Sequence, residues 1–184
     1  MAVDSADRRY TYTCTSLNST MRYTQVKVET KTGGTWASSP TGVVEVAKVD
    51  YAYYGTSDSN GDVGALKTVT VTNYLTDSGV SVTMTKYFRY YTGAYNGSSN
   101  PGYPYDIKMA VDFEGTRVES SYASDSDSTL KAYSSAYLKY DTNHQVKEAF
   151  FNGECNCSGN GNGTHYYTYA SNGSYTDNSG YDTA

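Results

Sequence analysis

The chain has few of the side chains that usually fill a protein core. Leu, Ile, Val and Phe together make up only 25 of its 184 residues. A composition this poor in apolar residues is typical of disordered proteins, which cannot bury enough surface to fold. The net charge of -5 is too small for strong self-repulsion, however, and 22 tyrosines supply large amphipathic rings. We therefore expect a folded chain in which tyrosine does much of the packing.

The sequence also has no cluster of Lys or Arg and no long apolar run. Phosphate backbones are bound by concentrated basic patches, and a membrane-spanning helix needs about 20 apolar residues. With a pI of about 4.9, we expect neither a nucleic-acid partner nor membrane insertion. The residues after Met1 are too polar for a secretory signal, so we expect the two ends to be cut points of a longer or processed protein.

Cysteine and histidine are too scarce for most kinds of catalytic or metal site. Cys155, Cys157 and His165 lie close in sequence, but a metal would need at least one further ligand. A strained loop, a bridge to Cys14 or free thiols is favoured over a metal or redox site. No Gly-x-Ser-x-Gly motif is present. We therefore expect no enzyme activity and no cofactor, and a metal-dependent enzyme domain is the least favoured interpretation.

A second set of candidate metal ligands lies in the most polar loop of the first half of the chain. Asp58, Asn60 and Asp62 have the alternating oxygen spacing of a calcium loop. The glycine that should follow the third ligand is displaced to Gly64, and no bidentate glutamate follows at the required distance. An ordinary hairpin loop rich in Asp and Asn is favoured over a calcium site.

Thr, Tyr and Val, which favour β-strands, dominate the regular stretches of the sequence. Alternation of apolar and polar residues predicts strands over 9–15, 23–32, 43–54, 66–74, 80–91, 105–114, 144–152 and 166–170. The pattern slips between Val46 and Val49, which indicates a bulge or break. Six Asn-Gly pairs suit tight hairpin turns. The fold class predicted is all-β, a series of antiparallel hairpins with loops over 57–64, 93–104, 120–128 and 153–164.

The segment over 129–140 fits two kinds of secondary structure. Leu130, Tyr133 and Tyr137 have helical spacing, whereas 137–141 resembles a strand that enters a turn. A strand is favoured. In 105–114, by contrast, Ile107, Met109, Val111 and Phe113 alternate regularly. That alternation predicts one continuous strand.

A unit recurs along the chain in which an aromatic-rich strand is followed by a Gly, Asn or Asp turn and a second strand. The aromatic residues that define it are Tyr51, Tyr53, Phe88, Tyr90, Tyr137, Tyr140, Tyr167 and Tyr169. With its Tyr140-Asp141 pair, the pattern resembles the RHS or YD-repeat family, whose units read roughly Tyr-x-Tyr-Asp-x-x-Gly-x-Leu-x-x-Val. The resemblance implies a spiralling β-ribbon, part of a secreted or cell-surface shell.

We accordingly expect one β-repeat region over 1–184, a fragment of a longer array with loose sub-units 1–45, 46–92, 105–152 and 164–184. Stacked hairpins complete each other's core, and open edges invite pairing. The predicted function is a non-catalytic, extracellular structural module that self-assembles into a shell or fibril, with copies of itself or neighbouring repeats as partners. The alternative is an adhesion module that binds glycans or proteins through tyrosines. Candidate glycosylation sequons lie at Asn18, Asn96, Asn156, Asn162 and Asn172.

Overall fold

The fold is all-β, as the sequence predicts. The structure is a computed structural model that describes residues 2–4, 8–17, 19–75, 80–152, 162–169 and 175–177. The strands are β1 Ala2–Asp4, β2 Arg8–Leu17, β3 Thr20–Thr30, β4 Val44–Tyr53, β5 Leu66–Leu75, β6 Val80–Tyr90, β7 Ile107–Val111, β8 Ala136–Tyr140, β9 Val146–Asn152, β10 Asn162–Tyr169 and β11 Tyr175–Asp177. Two short helices, α1 Phe113–Val118 and α2 Asp127–Lys131, lie between β7 and β8.

The chain divides into two compact units, each of which is a sequential antiparallel meander. Unit 1 comprises residues 1–53 and 66–85, and unit 2 comprises 54–65 and 86–184. In unit 1 the strands β1 to β5 pair in sequence order, and in unit 2 the end of β6 and the strands β7 to β11 do the same. These pairings confirm the predicted series of antiparallel hairpins.

The bulge predicted in the 43–54 strand is present in β4. Val28 of β3 pairs with Ala47, but the next residue, Glu29, pairs with Glu45. Val46 is therefore the extra residue, at the start of the stretch where the apolar alternation slips. A bulge restores the alternation of faces after one additional residue, so that Val49 and Ala47 lie on one face of the sheet.

Tyrosine rings make up much of the core of unit 2. Tyr54, Tyr87 and Tyr91 are each 1% exposed, and Met109 and Leu130 are completely buried. Ala65, Val111, Tyr140 and Ala149 are the other buried apolar residues. The expectation that tyrosine replaces aliphatic side chains is confirmed for this unit.

The prediction of one continuous strand over 105–114 is wrong at both ends. Strand β7 spans only Ile107–Val111, and Phe113 begins helix α1. The helix packs so closely that a Cβ on Gly115 would overlap the carbonyl of Tyr133. This tertiary contact selects the helix, although Phe113 continues the period-two pattern. Its ring lies 5.2 Å from the Lys86 ammonium.

The ambiguous 129–140 segment contains both a helix and a strand. Helix α2 begins within the predicted 120–128 loop, where the Ser126 hydroxyl accepts a hydrogen bond from the Thr129 amide at 3.2 Å. It ends at Lys131, and strand β8 begins at Ala136. The helical spacing thus identified the buried Leu130 correctly, while the strand interpretation holds only from Ala136 onward.

Gly102 should tolerate no side chain, because its Cα lies against a buried ring. A Cβ at this position would overlap the Tyr91 ring, whereas a Cβ on Gly93 of the same loop would lie 3.5 Å from its nearest neighbour. We expect Gly102→Ala to lower the free energy of unfolding by about 1–3 kcal/mol. Gly93→Ala should change it little. Urea unfolding at neutral pH measures both, and equal losses would contradict the packing described here.

Candidate functional site

The predicted calcium-loop residues hold their own loop together. The Asp58 carboxylate accepts a hydrogen bond from the Gly55 amide at 2.7 Å. The Asn60 carbonyl accepts one from the Tyr90 amide at 2.9 Å, and the Asp62 carbonyl accepts one from Ala65. The loop joins β4 to β5. Across the described parts of the chain, no three His, Cys, Asp or Glu side chains are grouped as metal ligands.

The second candidate set is described only in part. Cys155 and Cys157 lie outside the described residues. His165 lies in β10, with its ring 5.4 Å from Phe151 and 6.4 Å from Tyr167. Cys14, the proposed bridge partner, is a free and exposed thiol on β2.

Of the five sequons, Asn96 is the one whose side chain is described. Its amide nitrogen donates to the Ser99 hydroxyl at 2.8 Å, and its oxygen accepts from the Asn100 amide at 2.8 Å. Asn18, Asn156 and Asn172 lie outside the described residues, and the structure gives only the backbone of Asn162, in β10.

Hydroxyl-to-carbonyl hydrogen bonds recur along the chain and involve several of the repeat-defining aromatics. Tyr53 donates to the Tyr23 carbonyl at 2.7 Å, Tyr140 to Ile107 at 2.9 Å and Tyr169 to Val146 at 2.7 Å. Two further donors were missed by sequence reasoning. Tyr54 donates to the Phe88 carbonyl at 2.5 Å and Tyr91 to Leu138 at 2.7 Å.

We call Tyr54 and Tyr91 the anchor tyrosines, because each is fully buried and fastens the loop that follows it. The Gly61 backbone packs on the Tyr54 ring, and the Gly102 backbone packs on the Tyr91 ring. The residue before each glycine supplies a carbonyl: Asn60 accepts from the Tyr90 amide, and Pro101 accepts from the Tyr140 amide at 2.7 Å.

The rings that pack against the two anchor tyrosines also make the same kind of contact. Tyr90 meets Tyr54 edge-to-face at 6.0 Å, and Tyr140 meets Tyr91 edge-to-face at 6.2 Å. The same contact thus occurs twice among the described residues of unit 2. The sequence signal was the Tyr-Tyr pair that ends each strand.

The position after Tyr140 departs from this pattern. Tyr90 is followed by the anchor Tyr91, whereas Tyr140 is followed by Asp141. The Asp141 carboxylate accepts hydrogen bonds from the Asn143 and Gln145 amides at 2.7 and 3.0 Å and closes a short turn. The Tyr-Asp pair therefore marks a tight hairpin in place of a long loop.

A buried ion pair joins the sheet of unit 2 to helix α2. The Arg89 side chain is 2% exposed, and its guanidinium donates to Asp127 at 2.8 Å and to the Tyr122 carbonyl at 3.0 Å. Lys108 also contacts Asp127. Burial tends to raise the pKa of Asp127, but hydrogen bonds from Lys108 and Arg89 outweigh it and hold that pKa below its usual value.

Removal of the Asp127 charge should destabilise unit 2, since it leaves the Arg89 cation buried without a counter-ion. We expect Asp127→Asn to lower the free energy of unfolding by about 3 kcal/mol. This value is at the low end for a broken buried ion pair, because the Asp127 side chain is 36% exposed. In wild type the same stability is lost as the pH falls through the lowered pKa. The matched control Arg117→Gln breaks the exposed Glu114 pair and should have no measurable effect.

The buried tyrosines should make the protein sensitive to alkali. Burial raises the pKa of Tyr54 and of Tyr91 well above the usual value, and raises that of Tyr140 from 10.0 to about 12. The folded state keeps these protons while the unfolded chain loses them, so stability falls as the pH rises above about 10.

Tyr140→Phe should show a smaller loss of stability between pH 10 and 12 than wild type, because the phenol that titrates is gone. At neutral pH the variant should lose about 1 kcal/mol with its hydrogen bond to Ile107. Urea unfolding at a series of pH values measures both effects. An unchanged pH slope would show that Tyr140 does not contribute.

Unit 1 has an apolar sheet face whose described side chains are half-buried, none of them fully. Tyr12, Val26, Val49 and Val71 form one row of paired residues across β2 to β5. We define the apolar face by this row and its same-face neighbours Tyr10, Val28, Tyr51 and Val69. Among the described residues of unit 1 only Glu29 and Thr72 are buried, and both are polar.

The opposite face of unit 1 is covered with charged and hydroxyl groups. Glu29 pairs with Arg9 at 2.8 Å and with Lys27 at 3.0 Å, and Lys48 pairs with Asp50 at 3.2 Å. Thr70 and Thr85 place their hydroxyl oxygens 3.1 Å apart. The two faces of the same sheet therefore differ sharply in polarity.

No family model, curated protein or solved structure matches this chain. The resemblance to the YD-repeat family therefore stays a prediction. No helix in the described part of the chain is long and apolar enough to cross a membrane.

Proposed function

We propose that this protein is a non-catalytic structural module that self-associates, and that it works outside the cell or at the cell surface as part of a larger shell or fibril. The observation that supports the proposal best is the apolar face of unit 1, whose side chains are only half-buried within the described part of the chain. Sheets with one apolar face normally bury it against a second layer. Here that layer would come from a second copy of the chain.

The sheet face that carries the apolar residues approaches the area of a standard protein interface. Strands lie about 4.8 Å apart and rise about 3.4 Å per residue, so the four long strands β2 to β5, of ten or eleven residues each, present roughly 650 Å² per copy. A standard protein interface buries about 800 Å² on each partner. Two such faces packed together would form a β-sandwich with a core about 10 Å thick.

The composition of the face favours a second copy over a charged partner. The eight residues that define it are all Val or Tyr, Arg8 lies on the same face at the start of β2, and the ion pairs lie on the opposite face. A centre without charge can meet its own copy without bringing like charges together. Its tyrosines can place their rings in the interface and direct their hydroxyls to its rim.

Strand edges offer a second route to larger assemblies. In a sequential meander the outermost strands leave backbone amides and carbonyls unpaired on one side, and such edges pair with other chains. Face packing and edge pairing together would extend an assembly in two directions. Association beyond a dimer is therefore part of the proposal.

The proposal predicts a size that increases with protein concentration and that depends on the apolar face. Val49→Lys places an ammonium in the middle of the Tyr12, Val26, Val49 and Val71 row. Burial of that charge should weaken association at least about a hundredfold, equivalent to about 3 kcal/mol. Sedimentation velocity over a wide concentration range measures it, and circular dichroism checks that the variant keeps its β content.

Thr70→Lys is the matched control. Thr70 pairs with Asp50, the residue after Val49, so the lysine is placed beside the same position but on the polar face. It should associate like wild type. A wild-type chain that stays monomeric at all concentrations would overturn the proposed function. Equal loss of association in both lysine variants would assign it to another surface.

A further inference from the structure

Two exposed aromatic residues of unit 2 are held in a backbone conformation that side chains rarely adopt. Among the described residues, the non-glycine residues with positive φ are Ser19, Tyr105 and His144, at 58°, 71° and 61°. This conformation costs an L-residue roughly 1–2 kcal/mol. Tyr105 is 57% exposed, and the His144 side chain is 55% exposed, so burial of these rings in the core does not offset the cost.

His144 ends a column of parallel rings. Tyr95 and Tyr103 stack with centroids 5.1 Å apart and planes 13° apart. Tyr103 in turn stacks on His144 at 3.9 Å and 23°. We call Tyr95, Tyr103 and His144 the aromatic column. One face of the His144 ring is covered by Tyr103, and its exposure shows that much of the remaining ring is open to solvent.

The column is fixed by polar contacts on both sides. The Asp106 carboxylate accepts a hydrogen bond from the Tyr103 amide at 2.9 Å and lies 3.3 Å from Nδ1 of His144. The Tyr103 hydroxyl donates to the Thr142 carbonyl at 3.2 Å. The rings are therefore positioned before any ligand arrives, which reduces the entropy lost on binding.

The loop that carries Tyr95 and Tyr103 is also held by hydrogen bonds to the Asn100 side chain. The amide nitrogen of Asn100 lies 2.7 Å from the Gly93 carbonyl, 2.9 Å from that of Ala94 and 3.0 Å from that of Gly102. Gly102 itself packs on the anchor Tyr91. The column thus rests on the same contact that fastens the loop to the core.

The turn itself does not require histidine at position 144. Asp141 closes the turn through its carboxylate, and glycine would satisfy the positive φ without strain. Strain at an exposed residue is a reason to look for a function in its side chain. The side chain of His144 contributes the open end of the column.

The arrangement of the rings limits what this end can bind. A cage for a quaternary ammonium ion needs rings around a cavity, whereas these rings are stacked in parallel. Nucleic acid is disfavoured by the net charge of -5 and by the Asp106 carboxylate beside the column. The remaining fit is a neutral ring with one apolar face and a polar rim.

We propose that the aromatic column is a saccharide-binding site. The apolar face of a pyranose ring would stack on the open face of His144, and polar groups of the same turn would face the rim of hydroxyl groups. Thr142 and Asn143, both exposed in the same turn, supply further polar groups.

The test follows the two histidines of the chain by NMR. His144 and His165 are the only histidines, so histidine labelled at the ring carbons gives one signal for the site and one internal control. The probes are oligosaccharides of glucose, galactose, mannose and N-acetylglucosamine. We expect at least one probe to shift the His144 signal in a saturable way and to leave the His165 signal in place.

His144→Gly removes the ring and relieves the backbone strain together. We expect its affinity for that saccharide, measured by calorimetry, to fall about tenfold or more, while its resistance to urea stays equal to wild type or rises. Ser19→Gly relieves the same kind of strain in unit 1 and should bind like wild type. Self-association should be unchanged in both, since it is assigned to the apolar face of unit 1.

The proposal fails if no probe shifts the His144 signal at millimolar concentration. It also fails if His144→Gly binds the saccharide as tightly as wild type, or if Ser19→Gly loses as much affinity as His144→Gly. None of these outcomes bears on self-association, which is measured separately by sedimentation.

Discussion

The hydrogen bond from a buried tyrosine hydroxyl to a backbone carbonyl is the contact on which unit 2 depends. A chain so poor in Leu and Ile must bury phenol rings, and a buried hydroxyl without a partner would cost more than the ring contributes. Tyr54 and Tyr91 meet this requirement in the same way, through the carbonyls of Phe88 and Leu138. Each hydroxyl therefore connects the residue that follows one strand to a strand that is not its neighbour in the sheet. The same hydrogen bond thus fixes both the packing of the ring and the order of the strands.

The two units show what happens with and without this contact. In unit 2 the rings of Tyr54, Tyr87 and Tyr91 are buried, and the long loops lie on them. In unit 1 the described strands are paired just as regularly, but no apolar side chain is buried. Its apolar rows are only half-buried, and a half-buried side chain contributes less to stability than one packed against a second layer. Association of unit 1 with another copy would therefore add stability as well as form the assembly.

The sequence predicted those features that depend on local pattern. Alternation located most of the strands, and the slip after Val46 located a bulge in β4. It could not predict that Phe113 enters a helix, because Gly115 packs on the Tyr133 carbonyl only in the folded chain. Nor could it distinguish Tyr54 and Tyr91 from the tyrosines beside them, since their burial depends on Gly61 and Gly102 meeting their rings. The strain at His144 could not be predicted either, because a positive φ is a property of the backbone that the composition does not show.

Asp141 shows how one residue decides whether a strand is followed by a long loop or by a short turn. After Tyr53 and Tyr90 the next residue is a tyrosine, and a long loop folds back over its ring. After Tyr140 the next residue is an aspartate, whose carboxylate binds two amides of its own turn. A carboxylate cannot be buried among apolar rings without a cation, so the long loop has no anchor and the hairpin closes at once. The short turn also places His144 against Tyr103. The aspartate that ends the series of anchor contacts therefore also positions the last ring of the aromatic column.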